Sequence, residues 1–297
     1  MITSSMLIAI IGSIMSAVGF GTANIVIKKY TEKLTLGQTL LNSMLAGVVI
    51  LAIWTLLSGL PGDFSGSYLE KFLILGIGDA CLYLFLYKTL RVSNVTIAST
   101  IMSVYPILST FYAVLVLSEQ VSVVTFVVIV LIVISAILVG IDWENVIKDG
   151  FDKGDLTKGI GWIAITTLLH ALYFPALSDY MGSGDWGFKL LGVKVVALLL
   201  LGVFFLRREK RIPLLYHRAA KVWPLVLLGL LETFGWIGLS WASESTEGMT
   251  SIIVALGSAA PIVTAVLAFF VLKEKLKPLQ YLGIVIMMAS IMALAVI

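Results

Sequence analysis

Ten times along this chain of 297 residues, apolar residues run on for the length of a membrane crossing before charge or a Gly/Pro break interrupts them. The runs fall at 6–27, 36–58, 70–90, 94–117, 121–141, 159–179, 187–206, 221–243, 249–272 and 277–297. A hydrocarbon core about 30 Å thick is crossed by about 20 helical residues. Barrel strands would instead alternate in polarity over about ten residues. Lipid offers the backbone no hydrogen bonds, so uniform runs of this length predict helices. The chain is 60% hydrophobic and 12% charged, where soluble domains hold about 45–50% and about 25%. The expected fold is therefore an all-α integral membrane protein with ten transmembrane helices. The opening MITSSMLIAIIGSIMSAVGF lacks a basic leader region and stays apolar as far as Lys28, so it is expected to be a retained helix and not a signal peptide. Cys81 stands alone, which excludes an internal disulfide framework.

Charge sets the expected orientation. Lysine and arginine crowd the connections after odd-numbered runs: Lys28, Lys29 and Lys33, then Lys88 and Arg91, then Lys148, Lys153 and Lys158. The connection after run seven holds Arg207, Arg208, Lys210, Arg211, Arg218 and Lys221, and Lys273, Lys275 and Lys277 follow run nine. The even connections offer Lys71 and Lys189. By the positive-inside rule the odd connections are cytoplasmic and both termini extracytoplasmic. A basic loop beside anionic lipid accounts for FLRREKRIPLLYHRAAKVW without any nucleic-acid partner.

The second half echoes the first. PILSTFYAVLVLSEQ begins at Pro106 and PIVTAVLAFFVLKEK at Pro261, so Pro106 matches Pro261 and Glu119 matches Glu274 at one offset of 155. LGIGDACLYLFL and LGLLETFGWIGL match at an offset of 153, pairing Asp79 with Glu232 and Tyr83 with Trp236. Residues 1–141 form one five-helix repeat, 142–158 a polar cytoplasmic linker and 159–297 the second repeat. Five is odd, so the halves are expected to insert with opposite orientations, the inverted repeat of alternating-access carriers.

The "LSEQ" and "LKEK" ends, the proline-containing runs before them and the five-plus-five count resemble the drug/metabolite transporter superfamily, in its ten-helix EamA-type branch. That resemblance implies export of amino acids, other small metabolites or drugs, or exchange of phosphorylated and nucleotide-linked sugars. Where the family commonly has Trp-Gly in its first helix, this chain has Phe20-Gly21, and run two offers Gln38 and Asn42 in place of an early arginine. The substrate subclass stays open.

A charge inside the bilayer costs at least about 2.5–3.5 kcal/mol on insertion scales, so each one needs a reason. Asp79 and Glu232 lie midway along runs three and eight as repeat mates, placed to share one cavity and to take up protons or a cationic solute. Lys194, about two turns into run seven, serves as their counter-ion, holds a solute carboxylate or phosphate, or snorkels to the interface. Lys189 is expected to snorkel, and Glu119 and Glu274 to fix helix ends. His170 is a candidate proton relay or hydrogen-bonding ligand, followed by Tyr173 as a cavity residue and by the helix-kinking Pro175. Asn24 and Asn42 could line the cavity or bond across helices. Tyr83 and Trp236, one turn from the acids, would form an aromatic wall, and Pro106 and Pro261 would be paired hinges.

Gly76-Ile77-Gly78-Asp79 also spells the GxGD of intramembrane aspartyl proteases, but run two carries no acid to complete a dyad. Two histidines and one cysteine cannot assemble a zinc site, and a phosphate-binding glycine loop is missing. No metal, cofactor or enzymatic activity is expected. The expectation is a monomeric secondary transporter in a prokaryotic plasma membrane, exporting a small metabolite such as an amino acid or amine by alternating access, with proton coupling through Glu232 and Asp79. A lipid or lipid-linked-sugar flippase is the alternative.

Overall fold

The apolar runs fold as helices wherever the chain is described. A computed structural model describes residues 4–30, 34–61, 66–92, 102–140, 159–210, 212–214, 219–246, 248–273 and 277–294, and all regular structure among these is helical. The first half holds α1 (Ser4–Tyr30), α2 (Leu36–Ser58), α3 (Gly66–Val92), α4 (Tyr105–Leu115) and α5 (Val123–Gly140). The second holds α6 (Ile160–Gly182), α7 (Trp186–Glu209), α8 (Ala219–Ser245), α9 (Thr250–Gly257), α10 (Ala260–Leu267) and α11 (Pro278–Leu294), with α10 running on into a π-helical turn, Ala268–Leu272. The linker at 142–158 and Glu274 lie outside the described residues.

Among the described residues, six stretches are long and apolar enough to cross a membrane: Ser4–Ile27, Leu36–Ser58, Ile160–Gly182, Trp186–Glu209, Val222–Ser245 and Thr250–Val271. Shorter apolar helices cover Tyr105–Leu115, Val123–Val139 and Pro278–Leu294. The protein is thus a multi-pass, membrane-embedded helical bundle. Its outer surface keeps side chains that water would not tolerate in such numbers, among them Leu57 at 83%, Val123 at 80% and Leu115 at 79% exposure.

Local sequence explains the breaks. Thr35 and Gln38 form a reciprocal capping box that starts α2. Pro106 and Pro261 each sit in the first turn of a helix, where a missing N–H costs nothing. The chain breaks just before them, in turns at Ser103–Val104 and Ser258–Ala259, so the interruption precedes the proline instead of kinking a continuous helix at it. The two turns are 155 residues apart, as are two left-handed residues further on, Ser118 at φ 57° and Lys273 at φ 60°. Pro175 stays inside α6 and leaves the Ala171 carbonyl without its helical donor. Ser109 of α4 supplies one, its hydroxyl donating to that carbonyl at 3.2 Å.

Helices of one half pack mainly on helices of the other. α1 lies on α8 and α6 on α3; α2 lies on α8 and α7 on α3; α1 lies on α10 and α6 on α4; α2 meets α7 and α5 meets α11. Exchanging the halves maps these contacts onto one another. The α1–α8 seam is backbone against backbone: a Cβ on Gly19 would fall 2.6 Å from Gly235 N and Leu231 O, and one on Gly238 2.6 Å from Met15 Cβ. Small residues permit such approach between membrane helices. Gly19→Ala is accordingly expected to destabilise the protein by about 1–3 kcal/mol, while Gly161→Ala, which meets open space, should not. Equal thermal melting of the two variants in detergent would contradict this account of the seam.

Candidate functional site

Positions four apart on a helix lie one above another, so α3 presents Asp79, Tyr83 and Tyr87 on one face. Asp79 is fully buried and meets Lys194 of α7, whose ammonium donates to Oδ1 at 2.8 Å and to Oδ2 at 2.9 Å. The Tyr173 hydroxyl of α6 donates to Oδ1 at 2.9 Å. Two charges removed from water are tolerable here because each compensates the other and the remaining lone pairs are used.

Lys194 does more than neutralise an acid. Its Nζ lies 3.9 Å from the centroid of the Trp236 ring and 5.0 Å from that of Tyr83, within cation–π range. Trp236 of α8 donates its indole N–H to the Tyr83 hydroxyl at 3.0 Å, a direct bond between residues 153 apart in the repeat. Glu232, one turn before Trp236, interacts with Lys194, Asp79 and Tyr87. The four residues matched between the halves, Asp79 with Glu232 and Tyr83 with Trp236, thus converge around one lysine. A cavity of about 20 Å³ opens among Ser43, Gly47, Tyr83, Lys194, Glu232 and Trp236, which is room for about one water.

Other candidates fall further out. His170 lies one aromatic layer away: its Nδ1 is 2.7 Å from the Thr166 carbonyl, and its ring stacks on Phe174 at 5.6 Å. Phe174 in turn stacks on Trp236 at 5.3 Å, and Phe20 meets that indole edge-on at 5.2 Å. Asn24 stands apart from the cluster, exposed, with its amide donating to Thr264 Oγ1 at 3.2 Å and so joining α1 to α10. Asn42 donates to the Gln38 and Pro213 carbonyls at 2.6 and 3.2 Å. Lys189 is only 3% exposed, and its ammonium closes the end of α6 by donating to Tyr180 O at 3.0 Å and Ser183 Oγ at 2.6 Å.

Tyr87 and Tyr105 escaped the sequence reading. The four-residue spacing of Asp79, Tyr83 and Tyr87 carried a signal for the first. Tyr105 packs on His170 at 5.4 Å and on Phe174 at 5.4 Å, a contact that needs α4 against α6 and has no local signature.

The GIGD tetrapeptide sets Asp79 against a lysine and a tyrosine, whereas a proteolytic dyad needs a second aspartate sharing a water. No curated protein matches the chain in sequence. A solved crystal structure has the same fold, with a TM-score of 0.76 over 100% of this chain and 99% of that one at 12% identity. Residues 7–141 match the EamA-like transporter family, and residues 157–296 match it again. With a buried charge cluster between two halves that each carry the family's pattern, the chain belongs to the EamA-like transporter family, whose members are transporters of the drug/metabolite type.

Proposed function

We propose that the protein is a secondary-active exporter of a small metabolite such as an amino acid or amine, in which two inverted five-helix halves alternate access to the central cluster. The observation that carries this reading is the buried Asp79–Lys194 pair with Glu232 beside it. Asp79 and Lys194 cancel, and an ionised Glu232 leaves one negative charge in a site with almost no water. A proton removes that charge, and so does the ammonium of a bound solute. Competition of the two for one carboxylate is the simplest form of proton–solute exchange. Trp236 and Tyr83 add π faces suited to the same cation. The exchange symmetry of the helix contacts supports the inverted repeat. The basic residues of the odd connections support extracytoplasmic termini in a prokaryotic plasma membrane.

The test is flux. Proteoliposomes loaded with a pH-sensitive dye are challenged with amino acids, organic cations and sugar phosphates one at a time. Proton movement that appears only with amine-bearing compounds is the expected result. Silence across the panel from a correctly folded protein would sink proton coupling and leave Glu232 a structural acid.

A further inference from the structure

The turn that ends α4 reaches across to the other half. Ser118 adopts a left-handed conformation and the Glu119 N–H returns to the Ala113 carbonyl at 3.0 Å, a Schellman-type stop. That stop aims Glu119 at the first turn of α9. The side chain is buried, and its carboxylate accepts the Ser251 N–H at 3.1 Å on Oε2 and 3.3 Å on Oε1. It also accepts the Ser251 hydroxyl and the Thr250 N–H. The first N–H groups of a helix have no partners of their own, so one carboxylate fills several vacancies at once. α4, α5 and α9 carry no charged residue. What acts on Glu119 is burial, which pushes its carboxyl above the ordinary range, and the Ser251 and Thr250 bonds, which draw it down.

The two parties differ in freedom. The turn is tied to α5, since Ser122 Oγ accepts the Thr125 N–H at 3.0 Å. α9 is a helix of 8 residues separated from α10 by the break at Ser258–Ala259. A break at one end and a side-chain fastening at the other make this short helix a unit that can shift against the α4–α5 turn when the fastening releases.

We propose that Glu119 is a gating residue: its carboxylate fastens α9 to the α4–α5 turn, and that bond must release for the central cluster to open to the Glu119 face of the membrane. This rests on the alternating-access reading above. It predicts reciprocity, because a carrier that opens more readily on one face spends less time open on the other.

Cys81 is the chain's one cysteine, so a Cys81→Ser background accepts single reporters. Ser243, near the end of α8 that leads into α9, reports the Glu119 face, and Thr89, toward the far end of α3, reports the opposite face; both are buried. Full-length protein carrying Ser243→Cys or Thr89→Cys, in vesicles of each orientation and without solute, is labelled with a membrane-impermeant maleimide. Glu119→Ala is expected to speed labelling of the Ser243→Cys reporter by about tenfold and to slow that of the Thr89→Cys reporter. Ser251→Ala removes one bond and keeps a good helix former, so it should shift both rates the same way by less, and it serves if Glu119→Ala fails to fold. Unchanged labelling at both positions overturns the proposal. So does equal acceleration at both, the signature of a loosened fold. Because no solute is present, the outcome stands apart from that of the flux assay.

Discussion

Replacing Lys194 with methionine is expected to lower stability by about 3–5 kcal/mol, the cost of leaving one member of a buried ion pair without its partner. Asp79 is 0% exposed and Lys194 6%, so no water can take over. The Tyr173 hydroxyl would remain on Oδ1, and a single neutral donor does not replace an ammonium that bonds both oxygens. The double variant Asp79→Asn/Lys194→Met should recover most of the loss, because a neutral pair of similar volume carries no uncompensated charge. Thermal melting in detergent measures both. A single variant that melts with the wild type would mean that the pair is solvated or loosely made. A double variant as unstable as the single would mean that packing of the lysine stem, and not charge, is what the site needs.

Glu232→Gln should separate function from folding most sharply. Glutamine keeps the shape and can still meet Tyr87, yet it cannot take up a proton or neutralise an ammonium. Solute-driven proton flux is expected to fall by about 5- to 150-fold, the usual span of a coupling free energy, while the melting temperature changes little. Coupled flux at the wild-type rate would remove Glu232 from the exchange and leave Asp79 as the candidate. The comparison must be made on protein reconstituted at equal density.

Much of the fold was legible because a bilayer leaves little choice. The uniform runs could only be helices, and ten of them with a repeat at a nearly constant offset indicated a duplicated bundle. The charged core of the site was legible for a related reason: Asp79, Glu232 and Lys194 are costly where they stand, and cost at matched depth is a signal. Periodicity cannot reveal which helices touch. Hence counter-ion, ligand of a solute carboxylate or phosphate, and snorkelling are all open to Lys194 from sequence, and the packing of α3 on α7 brings it to Asp79. The depth of Lys189 was visible in the sequence, but its acceptors at the end of α6 were not. Asn24 stayed open between lining the cavity and bonding across helices because helix rotation is poorly fixed in a segment apolar on every side, and its bond to Thr264 is of the second kind. The prolines marked where the helices are interrupted, and the break itself lies in the two or three residues before them. Glu119 was expected to fix a helix end; the end it fixes belongs to the other half, a long-range pairing that local pattern does not encode.

The size of the central cavity has a bioenergetic consequence. At about 20 Å³ it can hold about a single water, and a continuous file of waters is what a hydrated ion or a proton wire would require. A cluster this dry offers a charge no hydrated passage among the residues that line it. If the halves alternate as proposed, many copies could stand in an energised membrane without short-circuiting its gradient, which would be drawn on only when cargo is handed over.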